Sequence, residues 1–125
     1  MDNIVYKDLS YQIVGACMDT FNDLGYGLKE KAYQSGVREN FKEKGFTFTE
    51  QVYAPIKYKT AKPISQYLDF LVNNVVVVEL KVGRNIKQIY FDQVLSYIKT
   101  HNLKLGLLIL FSPGGIRVYR VLNAR

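Results

Sequence analysis

The sequence predicts an α/β (α+β) fold in which a mixed central sheet is flanked by helices, in the order α-α-β-β-β-α-β-β. Two segments with apolar residues at helical spacing come first, and a third lies in the C-terminal half. Five shorter segments rich in aromatic, β-branched or aliphatic residues have the composition of strands. Since three strands precede the third helix and two follow it, we expect a mixed sheet rather than a regular βαβ repeat.

The first two helices are expected to pack on the sheet through apolar stripes. Asp8 or Ser10 is the expected cap of the first helix, which runs to about Leu24 and stops at two glycines. The second helix is expected from about Leu28 to Gly45, a plausible end position. The predicted stripes are Ile13, Cys17, Phe21 and Leu24 in the first helix, and Leu28, Ala32, Val37 and Phe41 in the second.

The strand segments are separated by recognisable turn residues. Pro55 favours an edge or a break in the first strand, and Asn73-Asn74 is a turn signal between the second and third. The fourth segment is almost wholly apolar, which predicts a central strand buried on both faces. The expected bounds are 46–58, 65–72, 75–81, 105–111 and 116–122 for the strands, and 85–101 for the third helix.

The length of 125 residues fits one domain over 1–125, large enough to bury a core without disulfides. No apolar run approaches the ~18 residues of a membrane span, and the N-terminus lacks the pattern of a signal peptide. We therefore expect a cytoplasmic protein with no membrane partner. Cys17 is the only cysteine, so neither an internal disulfide nor a cysteine zinc site is expected, and a small core residue is the favoured interpretation.

The net charge of +6 favours a polyanionic partner, because lysine and arginine that neutralise phosphates release counterions. A lysine-rich surface that only keeps the protein soluble explains the same charge equally well. Charge alone therefore leaves nucleic-acid binding open.

The most informative segment is the apolar run that ends in Glu79-Leu80-Lys81. In a strand, side chains two residues apart share a face, so Glu79 and Lys81 point the same way. A charge in a core strand is costly unless it is paired or bound to a metal, so this strand end is a candidate functional site. A structural salt bridge between the two residues explains the short pattern about as well.

Asp69 on the preceding strand can complete a magnesium site. Mg²⁺ prefers hard oxygen ligands and keeps several waters, so the carboxylates of Asp69 and Glu79 suffice. Such an ion lowers the pKa of a bound water and offsets phosphoryl charge, while Lys81 orients that water or stabilises the transition state. We expect these three residues to converge on one solvent-reachable pocket, with Glu30 at its edge.

This arrangement restricts the hairpin between the second and third strands. If Asn73-Asn74 formed a two-residue loop, Val72 would pair with Val75, and Asp69 would share a face with Val78 instead of Glu79. We therefore predict an odd loop of three or five residues centred on Asn74, or a bulge between Asp69 and Glu79.

Glu30 opens the second helix, where the helix dipole stabilises a carboxylate whether or not it has a function. The motif Gly27-x-x-Glu30-x-x-Tyr33, followed by Asp69 and Glu79-Leu80-Lys81, resembles the GxxExxY protein family, which is assigned to the PD-(D/E)XK nuclease superfamily. The resemblance covers about 13–121 and implies an α-β-β-β-α-β core, in agreement with the predicted order.

The resemblance also implies roles for individual residues. Two positions depart from many relatives: Tyr90 stands where a histidine is common, and Leu110 where an asparagine is common. Neither departure removes a carboxylate or the lysine. The implied metal ligands are Asp69, Glu79 and the Leu80 carbonyl; the implied catalytic residues are Lys81, Glu30 and Gln93; and the candidate nucleic-acid contacts are Tyr33, Arg84, Lys87, Tyr90 and Tyr97.

The favoured function is hydrolysis of phosphodiester bonds in DNA or RNA, dependent on Mg²⁺ or Mn²⁺ and carried out by a metal-bound water. The alternative is a non-catalytic nucleic-acid-binding or protein-interaction module that retains the nuclease fold. A homodimer is expected from the small domain, since duplex cleavage often uses paired sites.

Overall fold

The structure, a computed structural model, describes residues 4–59 and 61–124. The predicted fold class and order of elements are confirmed. The elements are α1 (Lys7–Leu24), α2 (Glu30–Glu43), β1 (Phe48–Tyr53), β2 (Tyr67–Val72), β3 (Val76–Val82), α3 (Gln88–Thr100), β4 (Leu105–Ser112) and β5 (Gly115–Leu122).

The five strands form one sheet in the order β1-β2-β3-β4-β5. The pair β3–β4 is parallel and the other three pairs are antiparallel, so the sheet is mixed as predicted. A parallel pair needs a crossover connection, and α3 supplies it. The strand order puts β3, which carries Glu79 and Lys81, in the middle of the sheet.

The helices cover both faces of the sheet and build two apolar clusters. The larger cluster joins α1 and α2 to one face, and the smaller one packs α3 against the other face. β4 is buried along its whole length, which confirms the predicted central strand. Gly106 on β4 allows α3 to approach closely, since a Cβ there would lie 2.4 Å from Val94 Cγ1. Within the described residues, no helix combines the length and apolar character needed to cross a membrane.

The helix starts and parts of the apolar stripes differ from the prediction. α1 begins at Lys7, so Asp8 and Ser10 lie inside it, and Ser10 Oγ donates to the Lys7 carbonyl instead of capping. Leu24 and Leu28 are exposed because the chain between α1 and α2 lies on the surface. The extended backbone of Lys29 delays α2 to Glu30. The predicted core positions Ile13, Cys17, Val37 and Phe41 are fully buried.

β1 is the edge strand that Pro55 favoured, but it is shorter than predicted and ends at Tyr53. In the connection from β1 to β2, the described residues form one isolated β-bridge, between Ile56 and Ile64.

The hairpin between β2 and β3 confirms the prediction of an odd loop. Val72 pairs with Val76, which leaves three connecting residues centred on Asn74. Asn73 and Asn74 both adopt left-handed backbone conformations, with φ of 50° and 61°, a region that asparagine tolerates better than most residues. Counting back along this register sets Asp69 opposite Glu79.

Candidate active site

The site lies where the pairing of β2 with β3 stops. The ladder extends from the loop to Phe70 and Val78, and the next facing residues are Asp69 and Glu79. Their side chains replace the missing backbone bonds: Glu79 Oε1 accepts from the Asp69 N–H at 3.0 Å, and Asp69 Oδ2 accepts from the Leu80 N–H at 2.8 Å. The two carboxylates are thereby held between the strands, and the residues are only 5% and 3% exposed.

The backbone of β1 and β2 is irregular at the same level. The β1–β2 register omits the position where Gln51 faces Asp69, and Gln51 has a positive φ of 54°. Leu68 packs against α3, whereas Phe70, two residues on, packs against α1 and α2. Because a regular strand would place both side chains on one face, β2 must rotate at Asp69. The rotation turns the Asp69 carboxylate toward β3.

Helix α2 contributes a third acidic residue through an amide bridge. Gln34 Nε2 donates to Asp69 Oδ1 at 2.8 Å and to Glu30 Oε2 at 3.2 Å. Glu30 and Gln34 are four residues apart, so they share a face of α2. Sequence analysis missed Gln34; its spacing from Glu30 was the available signal.

Lys81 closes the site on the side of α3. Its Nζ lies 3.3 Å from Glu79 Oε2 and 3.8 Å from the centre of the Tyr90 ring. The ring therefore attracts the ammonium group and holds it beside Glu79. The salt bridge that was the alternative interpretation of this pattern is present, within a larger acidic group.

These residues line one open cavity of about 520 Å³, so the predicted convergence of Asp69, Glu79 and Lys81, with Glu30 nearby, is confirmed. We call this space the acidic cavity. Its lining residues are Glu30, Lys31, Gln34, Gln51, Gln66, Tyr67, Asp69, Glu79 and Lys81.

Burial and mutual repulsion make the carboxylates hard to ionise. Burial raises the pKa of Asp69 to about 6, although the Leu80 N–H and Lys81 act in the opposite direction. Burial and then the charge of Asp69 raise the pKa of Glu79, and burial raises the pKa of Glu30. Burial alone would lower the pKa of Lys81, but attraction to Glu79 and Glu30 outweighs it and keeps the pKa above its usual value.

Three residues expected near the site are placed elsewhere. Tyr33 is fully buried, its ring stacks on Phe111, and its hydroxyl donates to the Gly25 carbonyl, so it cannot contact nucleic acid. Tyr97 is also buried, in the cluster beneath α3, which contradicts its proposed contact role. Gln93 is buried with its Nε2 donating to the Ala54 carbonyl, and it lines grooves beside α3 instead of the acidic cavity.

The remaining candidates keep positions compatible with the expectations. Arg84 and Lys87 are exposed in the connection from β3 to α3, and Tyr90 is partly buried against Lys81. Leu110 is fully buried on β4, opposite Lys81 on one side and Arg117 on the other. The burial of Leu110 gives it a packing role.

The donor set fits a hard divalent cation. Within the described part of the chain, no three His, Cys, Asp or Glu side chains come together as a metal cluster. Asp69 and Glu79 offer carboxylate oxygens side by side between the strands, which suits Mg²⁺ because it keeps several waters. A cation would also offset the repulsion that opposes their ionisation.

Two solved structures share this fold at low sequence identity. The crystal structure of SSO0001 matches with a TM-score of 0.55 and 19% identity, covering 96% of this chain and 58% of that one. An alkaline exonuclease from Laribacter hongkongensis, LHK-Exo, matches with a TM-score of 0.51 and 12% identity, covering 99% of this chain and 73% of that one.

The chain thus spans a little over half of the first of these structures. No curated protein matches significantly. The family model of the PD-(D/E)XK nuclease superfamily, however, matches residues 7–121, nearly the whole chain. With Asp69 and the Glu79-Leu80-Lys81 segment meeting at the break between two strands, the chain belongs to the PD-(D/E)XK nuclease superfamily.

Proposed function

We propose that the protein is a nuclease that depends on Mg²⁺ or Mn²⁺ and hydrolyses phosphodiester bonds of DNA or RNA. The observation that carries the proposal is the placement of two buried carboxylates, Asp69 and Glu79, side by side between two strands at an open cavity, with Lys81 next to them. A protein that only needed a salt bridge here would not require a second buried carboxylate, whose desolvation is costly.

In this proposal Asp69 and Glu79 hold the cation, together with the Leu80 carbonyl. The Leu80 N–H donates to Asp69, and the N–H and C=O of one strand residue face the same neighbouring strand, which supports the Leu80 carbonyl as the proposed third ligand. A cation held by these residues would make a bound water more acidic and would offset charge on a phosphoryl oxygen.

The other residues act on the substrate or on the ligands. Lys81 is a cation near Glu79 and is placed to neutralise negative charge that develops on the phosphoryl group. Glu30 orients Asp69 through Gln34, whose amide group reaches both carboxylates. We also propose that the chain belongs to the GxxExxY family within the superfamily, on the strength of Gly27, Glu30 and Tyr33 in that spacing.

The test is cleavage of labelled DNA and RNA, single-stranded and duplex, with Mg²⁺, Mn²⁺ or EDTA. We expect cleavage that needs the cation and is lost in Asp69→Asn and Glu79→Gln. Asp92→Asn is the matched control, because Asp92 is an exposed carboxylate on α3 outside the acidic cavity. Cleavage by Asp69→Asn at the wild-type rate would reject the proposed site.

One observation favours the alternative, a non-catalytic nucleic-acid-binding or protein-interaction module. Each carboxylate already has protein partners, and the described residues hold no cluster of three ligating side chains. A nuclease should be stabilised against heat by Mg²⁺ or Mn²⁺ in a manner that depends on Asp69, since ligand binding to the folded state raises its stability. If Mg²⁺ and Mn²⁺ changed the melting temperature of neither wild type nor Asp69→Ala, the result would support the module.

A further inference from the structure

Two exposed tyrosines lie beside the acidic cavity and have no part in the core. Tyr53 at the end of β1 and Tyr67 at the start of β2 are paired directly across the strands. Their ring centres are 5.6 Å apart, and the planes meet at 63°. The residues are 51% and 48% exposed. A pair in this orientation covers at most one face of each ring, so aromatic surface remains open to solvent.

The pair borders the acidic cavity. Tyr67 lines the acidic cavity, two residues from Asp69, which is about 6.6 Å along a strand. Ala54 and Leu68, the neighbours of the two tyrosines, pack beneath α3, so both tyrosine side chains point to the opposite face of the sheet. The exposed Lys31 of α2 lines the cavity together with Tyr67. A chain that places a phosphate at Asp69 and continues along β2 toward Tyr67 therefore meets the tyrosine pair, with a lysine beside it.

We propose that the Tyr53–Tyr67 pair is a stacking platform for an unpaired base next to the scissile phosphate, so that the substrate is a single strand or a frayed end. The inference rests on the proposed function, because the acidic cavity must take a phosphate. Aromatic side chains bind single strands by stacking on bases, and a neighbouring positive charge follows the backbone. Inside a duplex both faces of each base are covered by neighbouring bases, so an intact duplex cannot use the platform.

A purely structural role makes a different prediction. Cross-strand aromatic pairs stabilise a sheet, so a structural pair would affect unfolding and leave binding unchanged. Oligonucleotide affinity and the melting temperature are therefore measured on the same variants.

The experiment is fluorescence anisotropy with a labelled single strand of mixed sequence, its duplex, and the RNA strand of the same sequence, all in EDTA to prevent metal-dependent cleavage. We expect Tyr53→Ala and Tyr67→Ala to raise the Kd for single strands by about 5- to 150-fold, the range found when a stacked aromatic is removed. Tyr67→Leu should lose a similar amount while it keeps bulk at the strand end. Tyr53→Phe and Tyr67→Phe should retain affinity, since the ring faces remain.

Tyr11→Ala is the matched control, because Tyr11 is 80% exposed on α1 and lies outside the acidic cavity. An abasic residue scanned along the strand should weaken wild-type binding at one position and have no further effect there in Tyr67→Ala. The DNA and RNA arms show which backbone the surface accepts.

The inference is overturned if wild type binds the duplex as tightly as the single strand, if no single strand binds, or if Tyr67→Ala and Tyr67→Leu leave the Kd unchanged. A failure of the proposed function looks different. Tyrosine-dependent binding without any metal-dependent cleavage would reject the nuclease and keep the platform, whereas cleavage with tyrosine-independent binding would reject the platform alone.

Discussion

The side chains of Asp69 and Glu79 each accept a hydrogen bond from the backbone of the opposite strand. Glu79 Oε1 accepts from the Asp69 N–H, while Asp69 Oδ2 accepts from the Leu80 N–H next to Glu79. The break in the ladder and the acidic site are therefore one feature. The carboxylates satisfy backbone donors that a regular pair of strands would satisfy itself, and in return those donors fix the carboxylate positions.

The first prediction concerns stability and pH without divalent cations. The pKa of Asp69 is raised to about 6 by burial, so the folded protein keeps this proton to a higher pH than the unfolded chain, whose aspartate titrates near 4. The stabilisation from the protonated carboxyl is complete below about pH 4 and is lost as the pH rises through 6. The unfolding free energy of wild type should therefore fall relative to Asp69→Asn, by roughly 2–3 kcal/mol between pH 4 and 7.5.

The measurement is urea unfolding of both proteins across this pH range, with and without saturating Mg²⁺. A bound cation offsets the charges of Asp69 and Glu79, so Mg²⁺ should remove most of the decline. A constant difference between the two proteins at every pH would contradict the burial of an ionisable Asp69.

The second prediction separates catalysis from metal binding. Lys81→Ala should lower the cleavage rate by on the order of 10²–10³, because it removes a charge placed to stabilise the transition state. It should leave metal affinity mostly intact, since the ligands are carboxylates. Cleavage assays and the thermal shift with Mg²⁺ check the two halves, and Lys99→Ala on the exposed face of α3 is the control. Cleavage at the wild-type rate in Lys81→Ala would indicate a contaminant or another site.

The third prediction concerns Gln34 as a positioning residue. Its amide donates to both Asp69 and Glu30, so Gln34→Leu should release both carboxylates while it keeps the volume of the side chain. Removing a residue that orients metal ligands typically costs 10- to 100-fold in metal affinity or activity. Titration of Mn²⁺ against the melting temperature measures the affinity. Gln51→Leu is a comparison at the same cavity, and an equal loss in both variants would refute the specific role of Gln34.

The sequence was sufficient for the order of elements, which follows from local periodicity. The register around Asp69 followed from strand parity together with the requirement that Asp69 and Glu79 share a face. The interpretation of Tyr33 was wrong for a physical reason. Glu30 and Tyr33 share a helix face, but Tyr33, Val37 and Phe41 recur every four residues and form the buried stripe of α2. This spacing predicts that Tyr33 is buried, whereas the motif had suggested a nucleic-acid contact.

Other features depend on contacts far apart in the chain. The spacing of Gln34 from Glu30 indicates their shared helix face, but it does not predict that Gln34 reaches Asp69, 35 positions away. The rotation of β2 at Asp69 likewise shows only when Leu68 and Phe70 are seen to pack on opposite faces of the sheet.

The last prediction tests the register itself. Val75–Val78 is a run of four valines after Asn73-Asn74, so deleting any one valine gives the same sequence. With one valine fewer, a two-residue Asn-Asn loop would pair Val72 with the first remaining valine, and counting along the strands still sets Asp69 opposite Glu79. Both asparagines already have the positive φ that such a loop requires. The deletion variant should therefore fold and keep its thermal stabilisation by Mg²⁺.

Asn74→Val in the same deletion background is the matched control, because valine at a φ of 61° costs about 1–2 kcal/mol. We expect this variant to melt at a lower temperature but to respond to Mg²⁺ when folded, since the register is unchanged. If the valine deletion alone gave a folded protein with no response to Mg²⁺, while wild type responded, the pairing of Asp69 with Glu79 would not be what builds the site.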